Sequence, residues 1–320
     1  MQSVPTTPII DGEPAFGTYA GCCVDTSLAL SERGVSRLRS AVSEKHWQWF
    51  GAFDDRLALG GAIVDAGLLG TVFLWIFDRK QGEFLVDGEV LVPGPLVTVS
   101  NRATDGEIAR VGLPGCQLEI ERNGGALTVN GQFTEVSLSL RFESCGQPIT
   151  AICPVADREG GVNVTQKETG MRVTGGVEID GWFDIAGTGM TDYTHGLLAR
   201  ETDWRWAIGN CSTDTGRSVC FNLAEFNEGL ENAIWIDGEP RAVGDATFEV
   251  APPGSDDDWH VRTECGTVAL SLSVAAYRTQ HLDIGLFSSA YRQPLGWWSG
   301  TVAGDEVEGP GVAETHLARW

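Results

Sequence analysis

The sequence predicts an all-β protein made of two similar antiparallel units, and three observations carry that reading. Short runs rich in Val, Ile, Thr, Phe and Trp alternate with Gly, Asp and Asn turns, at the spacing of antiparallel sandwiches or barrels. The turn signals Asn123-Gly124-Gly125 and Asp237-Gly238 join neighbouring runs, because glycine accepts the positive φ that tight hairpin turns require. An internal echo completes the set. Trp47-Gln48-Trp49-Phe50-Gly51 opens one series of strands, and Trp204-Arg205-Trp206-Ala207-Ile208-Gly209 opens another about half the chain later.

Taken in chain order, helical periodicity is convincing only over 31–45, where Val35, Leu38 and Val42 share a face and Ser31 can cap the first turn. The apolar stretch 57–77 is long enough to tempt a membrane reading, but Asp65 and the glycines Gly60, Gly61, Gly67 and Gly70 favour two strands joined by a turn. Strands follow over 71–77, 84–92, 117–121 and 126–129. Each Trp-x-Trp run is followed by a further tryptophan-bearing strand, Trp75 in the first half and Trp235 in the second. Loops fall at 157–161 and 252–258, the first near a boundary between the halves. The expected organisation is an N-terminal segment with a helix over 1–45, a first β domain over 46–158 and a second over 159–320. About eight strands closing into a barrel leave an interior that is either filled or holds one small ligand.

With 42% hydrophobic and 21% charged residues, 320 residues suffice for a real core, which excludes disorder. Forty-four acidic against 22 basic residues give a net charge of -22, which repels nucleic acid and anionic membrane surfaces. Only three lysines occur, Lys45, Lys80 and Lys167. Eight cysteines lack any C-x-x-C spacing and read as small buried hydrophobes of a reducing compartment. The opening residues lack the basic and apolar regions of a secretory signal, so a cytoplasmic location is expected, without stable membrane insertion.

Three segments could carry chemistry. Between Gly187 and Gly196, Asp192, Tyr193 and His195 cluster just before the Trp204-x-Trp206 strand. They read either as an acid or base beside an aromatic wall, or as turn hydrogen bonds, an Asp192–arginine pair and a structural histidine. At the carboxyl end Glu314 and His316 flank Thr315 and so share a strand face, suited to a substrate contact, a metal or a plain salt link. The run from Tyr291 to Trp298 mixes Arg292 with rings, for ligand contact or for packing a cation on aromatics. There is no G-x-S-x-G, H-E-x-x-H or P-loop, and neither metal nor cofactor is expected.

The run from Gly187 to Gly196, with Trp204-x-Trp206 after it, resembles the G-x-G-Y-x-D-H-N-W-G and W-x-W pattern of the carotenoid hydratase and AttH-like proteins, which carry two tandem lipocalin-like β-barrels. The end from Trp298 through Gly311-Val-Ala-Glu314-Thr is similar to that family's closing strands, with Val312 in place of an aromatic. Asp192-Tyr-Thr-His-Gly, Ala199-Arg-Glu-Thr, Arg292-Gln-Pro and Glu314-x-His-x-Ala-Arg-Trp320 more closely resemble a bacterial domain-of-unknown-function family, over roughly 28–320. The wider resemblance implies two lipocalin-like barrels and an inter-barrel hydrophobic cavity, used for hydration, cyclisation or isomerisation of isoprenoid or polyketide chains, or for carrying lipid without chemistry. It puts Asp192 at the position of an alkene-protonating carboxyl. Met190, Tyr193, Thr194 and His195 depart from the pattern, so the surroundings of that acid differ. The expected site has Asp192, His195, Tyr193 and Glu314 as acid–base groups, with Trp204, Trp206, Arg292, Trp298 and His316 binding a hydrophobic ligand.

Overall fold

The computed structural model describes residues 1–28, 43–156, 158–255, 257–285 and 287–320. Its first unit is a meander through β1 (Glu44–Phe53), β2 (Leu57–Asp65), β3 (Leu69–Asp78), β4 (Glu83–Pro93), β5 (Val97–Val99), β6 (Ile108–Leu113), β7 (Cys116–Asn123), β8 (Ala126–Phe133) and β9 (Val136–Glu143), completed by β10 (Val162–Glu178) and β11 (Trp182–Leu197). The second runs through β12 (Glu201–Ser212), β13 (Ser218–Glu225), β14 (Ala233–Ile236), β15 (Glu239–Ala242), β16 (Ala246–Glu249), β17 (Trp259–Thr263), β18 (Val268–Asp283), β19 (Ser288–Val302) and β20 (Asp305–Arg319).

The spatial orders are β4-β3-β2-β1-β11-β10-β9-β8-β7-β6-β5 and β15-β14-β13-β12-β20-β19-β18-β17-β16. In both units the first strand pairs with the last, so the two sheets share one connectivity. The Trp-x-Trp runs lie on the equivalent first strands β1 and β12, and Trp75 and Trp235 on the equivalent third strands. One sheet curls into a nearly closed barrel and the other into a half-barrel. Strands β10 and β11, which follow the boundary expected near 158, are hydrogen-bonded into the first sheet.

Local chemistry accounts for the meander. Gly124 and Gly125, and Asp237 and Gly238, take positive φ at hairpin turns, the conformation whose twist matches paired strands. Gly60 faces Trp75 across β2 and β3, where a Cβ would lie 2.5 Å from the indole, so only glycine seats that ring. Of the expected helix, residues 31–42 lie outside the described residues, whereas Glu44 and Lys45 begin β1. Their ladder partners Leu197 and Gly196 on β11 outweigh the local periodicity. Among the described residues no helix is long and apolar enough to cross a membrane.

Alternation along each strand divides the apolar residues. Phe50, Ile63, Leu74, Phe142 and Tyr193 fill the first barrel, and Phe221, Trp259, Leu272 and Trp298 fill the second. Another cluster, including Trp49, Phe73, Trp75, Met190, Trp206 and Val312, lies between the sheets and joins them. The eight cysteines are free, and Cys145 and Cys265 are exposed rather than buried.

Candidate functional site

The inter-sheet layer is built by two equivalent strand pairs. On β11, Met190, Asp192 and Thr194 face the second unit, and on β20, Val312, Glu314 and His316 face the first, because alternate residues of a strand share a face. Asp192 lies opposite Trp49 in the β11–β1 ladder, and Glu314 lies opposite Trp206 in the β20–β12 ladder. Thr194 then pairs with Trp47 and His316 with Trp204. The four indoles meet across the interface: Trp47 stacks on Trp204 with centroids 6.2 Å apart, and Trp49 meets Trp206 edge-on at 5.2 Å.

Between these walls lies a cavity of about 140 Å³, lined from both units. Trp47, Trp49, Phe73, Trp204, Trp206 and Phe226 make its aromatic surface, while Lys167, Asp192, Glu231, Tyr291, Glu314 and His316 bring polar atoms to it. An apolar cleft with a few convergent polar groups is the usual form of a small-molecule site.

The two carboxyls have different neighbours. Lys167 on β10 pairs with Asp192 at 2.7 Å and with Glu231 at 3.2 Å, and its side chain is 4% exposed. Burial acts to lower the Lys167 pKa, but the two carboxylates outweigh it and hold the ammonium charged. Asp192 also accepts from Trp47 Nε1 at 3.3 Å, Thr165 Oγ1 at 3.3 Å and Thr194 Oγ1 at 3.2 Å.

Glu314 has no cation in the corresponding place. It accepts from Trp204 Nε1 at 2.8 Å and from the neutral amide of Gln293 at 3.3 Å. Burial is the largest influence and pushes its carboxyl up to about 7, the Asp192 charge adding to the rise and the Trp204 bond opposing it. His316 bonds Ser289 Oγ through Nε2 at 2.8 Å and is neutral at pH 7, its pKa lowered to about 3 by burial and by Arg278. Arg278 ties the units together through Asp87 and Glu89, at 3.2 Å each, and lies 4.3 Å over Phe73. The Tyr291 phenol, 5.2 Å from that guanidinium, is held protonated by burial.

Of the residues expected from sequence, Asp192, Glu314, Trp204, Trp206 and His316 come together on the cavity. Tyr193 and His195 do not. As strand neighbours of Asp192 and Thr194 they point the opposite way, into the first barrel, where Tyr193 joins the core. Arg292 lies on the other face of β19, over Tyr277 at 4.3 Å and Trp259 at 5.3 Å, and donates to Ala251 O. Trp298 is fully buried in the second barrel's core. Sequence reasoning missed Lys167 and Gln293, which reach the carboxyls only through strand register. The scarcity of lysine was the one available signal for the first.

The chain belongs to the family described as Domain of unknown function (DUF2804), whose model matches residues 10–320. A sequence search of curated proteins finds no match. Among solved structures, the chain is similar to a protein described as AttH from Nitrosomonas europaea, with a TM-score of 0.55 and 14% identity over 85% of this chain and 92% of that one. It is also similar to kievitone hydratase from Nectria haematococca, with a TM-score of 0.54 and 12% identity over 86% and 89% of the two chains. At these identities the likeness establishes the fold alone, all-β with two barrels in tandem.

Proposed function

We propose that this protein binds a hydrophobic small molecule, of isoprenoid, lipid or polyketide type, in the inter-barrel cavity and acts on it by acid catalysis of the hydratase, isomerase or cyclase kind. The observation carrying this reading is Glu314, a buried carboxyl raised to about 7 that faces an aromatic wall. Such a group is half protonated at neutral pH and can give its proton to an alkene carbon, whose π pair forms the new C–H bond. The indole faces stabilise the resulting cation. Water then attacks the cation through oxygen and returns a proton to the Glu314 carboxylate, or that carboxylate takes a proton from the carbon next to the cation, whose C–H pair becomes the shifted double bond. Asp192, ion-paired to Lys167, acts as the fixed anion near the cationic centre rather than as the proton donor. That one fold neighbour is named a hydratase agrees with this class of reaction. We also divide the chain after Leu197, so that β10 and β11 belong to the first unit.

The Lys167–Asp192 pair favours a second reading, a non-catalytic lipid or isoprenoid carrier, since it neutralises the carboxylate that the family resemblance marks as the acid. Gentle purification from the native host, followed by native and denaturing mass spectrometry of bound molecules, separates the two. An enzyme accumulates an unconverted ligand in Glu314→Gln that wild type lacks. The same molecule bound unchanged to wild type, Glu314→Gln and Asp192→Asn identifies a carrier. Loss of folding in Asp192→Asn marks that residue as structural.

A further inference from the structure

We propose a divalent metal site, formed by Glu44, His46 and His195, at one end of the first barrel and on the strand face opposite the cavity. Glu44 and His46 are two residues apart on β1, and His195 lies directly across from His46 on β11, so all three project to one side. Their ligand atoms lie within 4.8 Å of one another. His195 Nε2 is 2.7 Å and His46 Nε2 3.6 Å from Glu44 Oε1. Two ligands at the tetrahedral angle, each about 2.0–2.1 Å from a zinc ion, are about 3.3 Å apart. The observed separations bracket that value.

Hydrogen bonding fixes what each imidazole offers. His46 Nδ1 faces the carbonyl of Val99 at 3.2 Å, and a carbonyl only accepts, so the ring proton sits on Nδ1. In the neutral ring His46 Nε2 is then a lone pair, and it is buried and without a hydrogen-bond partner. A chain of hydrogen bonds leads to His195. Tyr193 donates its one hydroxyl proton to Ser100 O at 2.8 Å. The 2.7 Å contact between Tyr193 and Thr26 therefore takes its proton from Thr26 Oγ1, which is left to accept from His195 Nδ1 at 3.2 Å. In the neutral ring, with its one proton on Nδ1, His195 Nε2 is a lone pair as well, and it faces a carboxylate oxygen at 2.7 Å.

Two electron-rich atoms at that distance repel unless a positive centre lies between them. An Nδ1–H held by an acceptor, with Nε2 turned inward, is the outer-shell arrangement that orients metal-binding histidines. Two imidazoles and one carboxylate suit zinc or iron(II), and leave a fourth coordination position open. The site shares no residue with the cavity, so it stands or falls apart from the proposed function.

The test uses the full chain, stripped with chelator, loaded with zinc, and assayed by elemental analysis, thermal melting and the visible spectrum of the cobalt(II) form. Wild type retains about one equivalent of zinc, melts higher when loaded, and shows tetrahedral cobalt bands. Retention in His46→Gln and in Glu44→Gln falls at least about tenfold. Glu44→Gln keeps the test open if His46→Gln does not fold, because the Glu44 side chain is 27% exposed and can change without burying new volume. Absence of retained zinc in wild type, or retention in both variants equal to that of wild type, overturns the proposal. So does a proton on His195 Nε2 in nitrogen-15 spectra of zinc-treated protein, which would assign the positive centre to a proton instead.

Discussion

The two units place a carboxyl at the same position and give it opposite neighbours. In the first, Asp192 lies beside Lys167, and in the second, Glu314 lies beside Gln293. The indoles of Trp47 and Trp204 donate to the two carboxyls in the same manner, at 3.3 and 2.8 Å. The largest difference is one cross-strand neighbour, a lysine beside Asp192 and a glutamine beside Glu314. A buried ammonium makes one carboxyl half of an ion pair, while an uncharged amide leaves the other free to hold a proton at neutral pH. Of the two, Glu314, raised by burial, is the carboxyl suited to hold a proton in a catalytic site.

The largest expected effect comes from erasing that difference. Lys167→Gln leaves Asp192 and Glu231 buried without their shared cation, and stability falls by about 3–5 kcal/mol, read from urea unfolding. A loss below about 1 kcal/mol would show that the ion pair does not separate the units.

Glu314→Gln tests the other half. A folded-state pKa of about 7 against an ordinary 4.5 means that the native protein binds more protons than the unfolded chain between those values. Stability from this group is full below pH 4.5 and is lost as pH rises through 7, by about 3 kcal/mol in all. Thermal melts of the glutamine variant should match wild type at pH 4.5 and exceed it by a few degrees at pH 8. A constant offset across that range would contradict the assignment.

His316 works with the opposite sign. Its pKa is lowered to about 3, so its contribution is present above pH 6.5 and lost as pH falls towards 3. His316→Gln should therefore flatten the acid limb of the stability profile measured by the same melts. The smallest effect is expected of Trp204→Phe, which removes an N–H bond worth about 1 kcal/mol and moves the Glu314 midpoint further up. Trp47→Phe should leave that midpoint in place.

Much of this architecture was legible because antiparallel strands write a period of two and turn glycines into the sequence. The Trp-x-Trp echo even located the equivalent first strands. The helix reading failed at Glu44 and Lys45, where a distant strand decides the backbone, and that error hid the Glu44-x-His46 pair from view. Glu314 and His316 were correctly placed on one face, since they are two apart. Tyr193 and His195 were grouped with Asp192 by proximity along the chain, which in a strand puts neighbours on opposite sides. Lys167 meets Asp192 only through the β10–β11 register, and no local pattern encodes a register between strands.

The protonation of Glu314 is read by a carbon-13 NMR titration of the side-chain carboxyls, with Glu314 assigned by its disappearance in Glu314→Gln. The Glu314 resonance should titrate with a midpoint near 7. A midpoint in the ordinary glutamate range, about 4–5, would mean that Glu314 is ionised at neutral pH and that the second unit holds no proton to give.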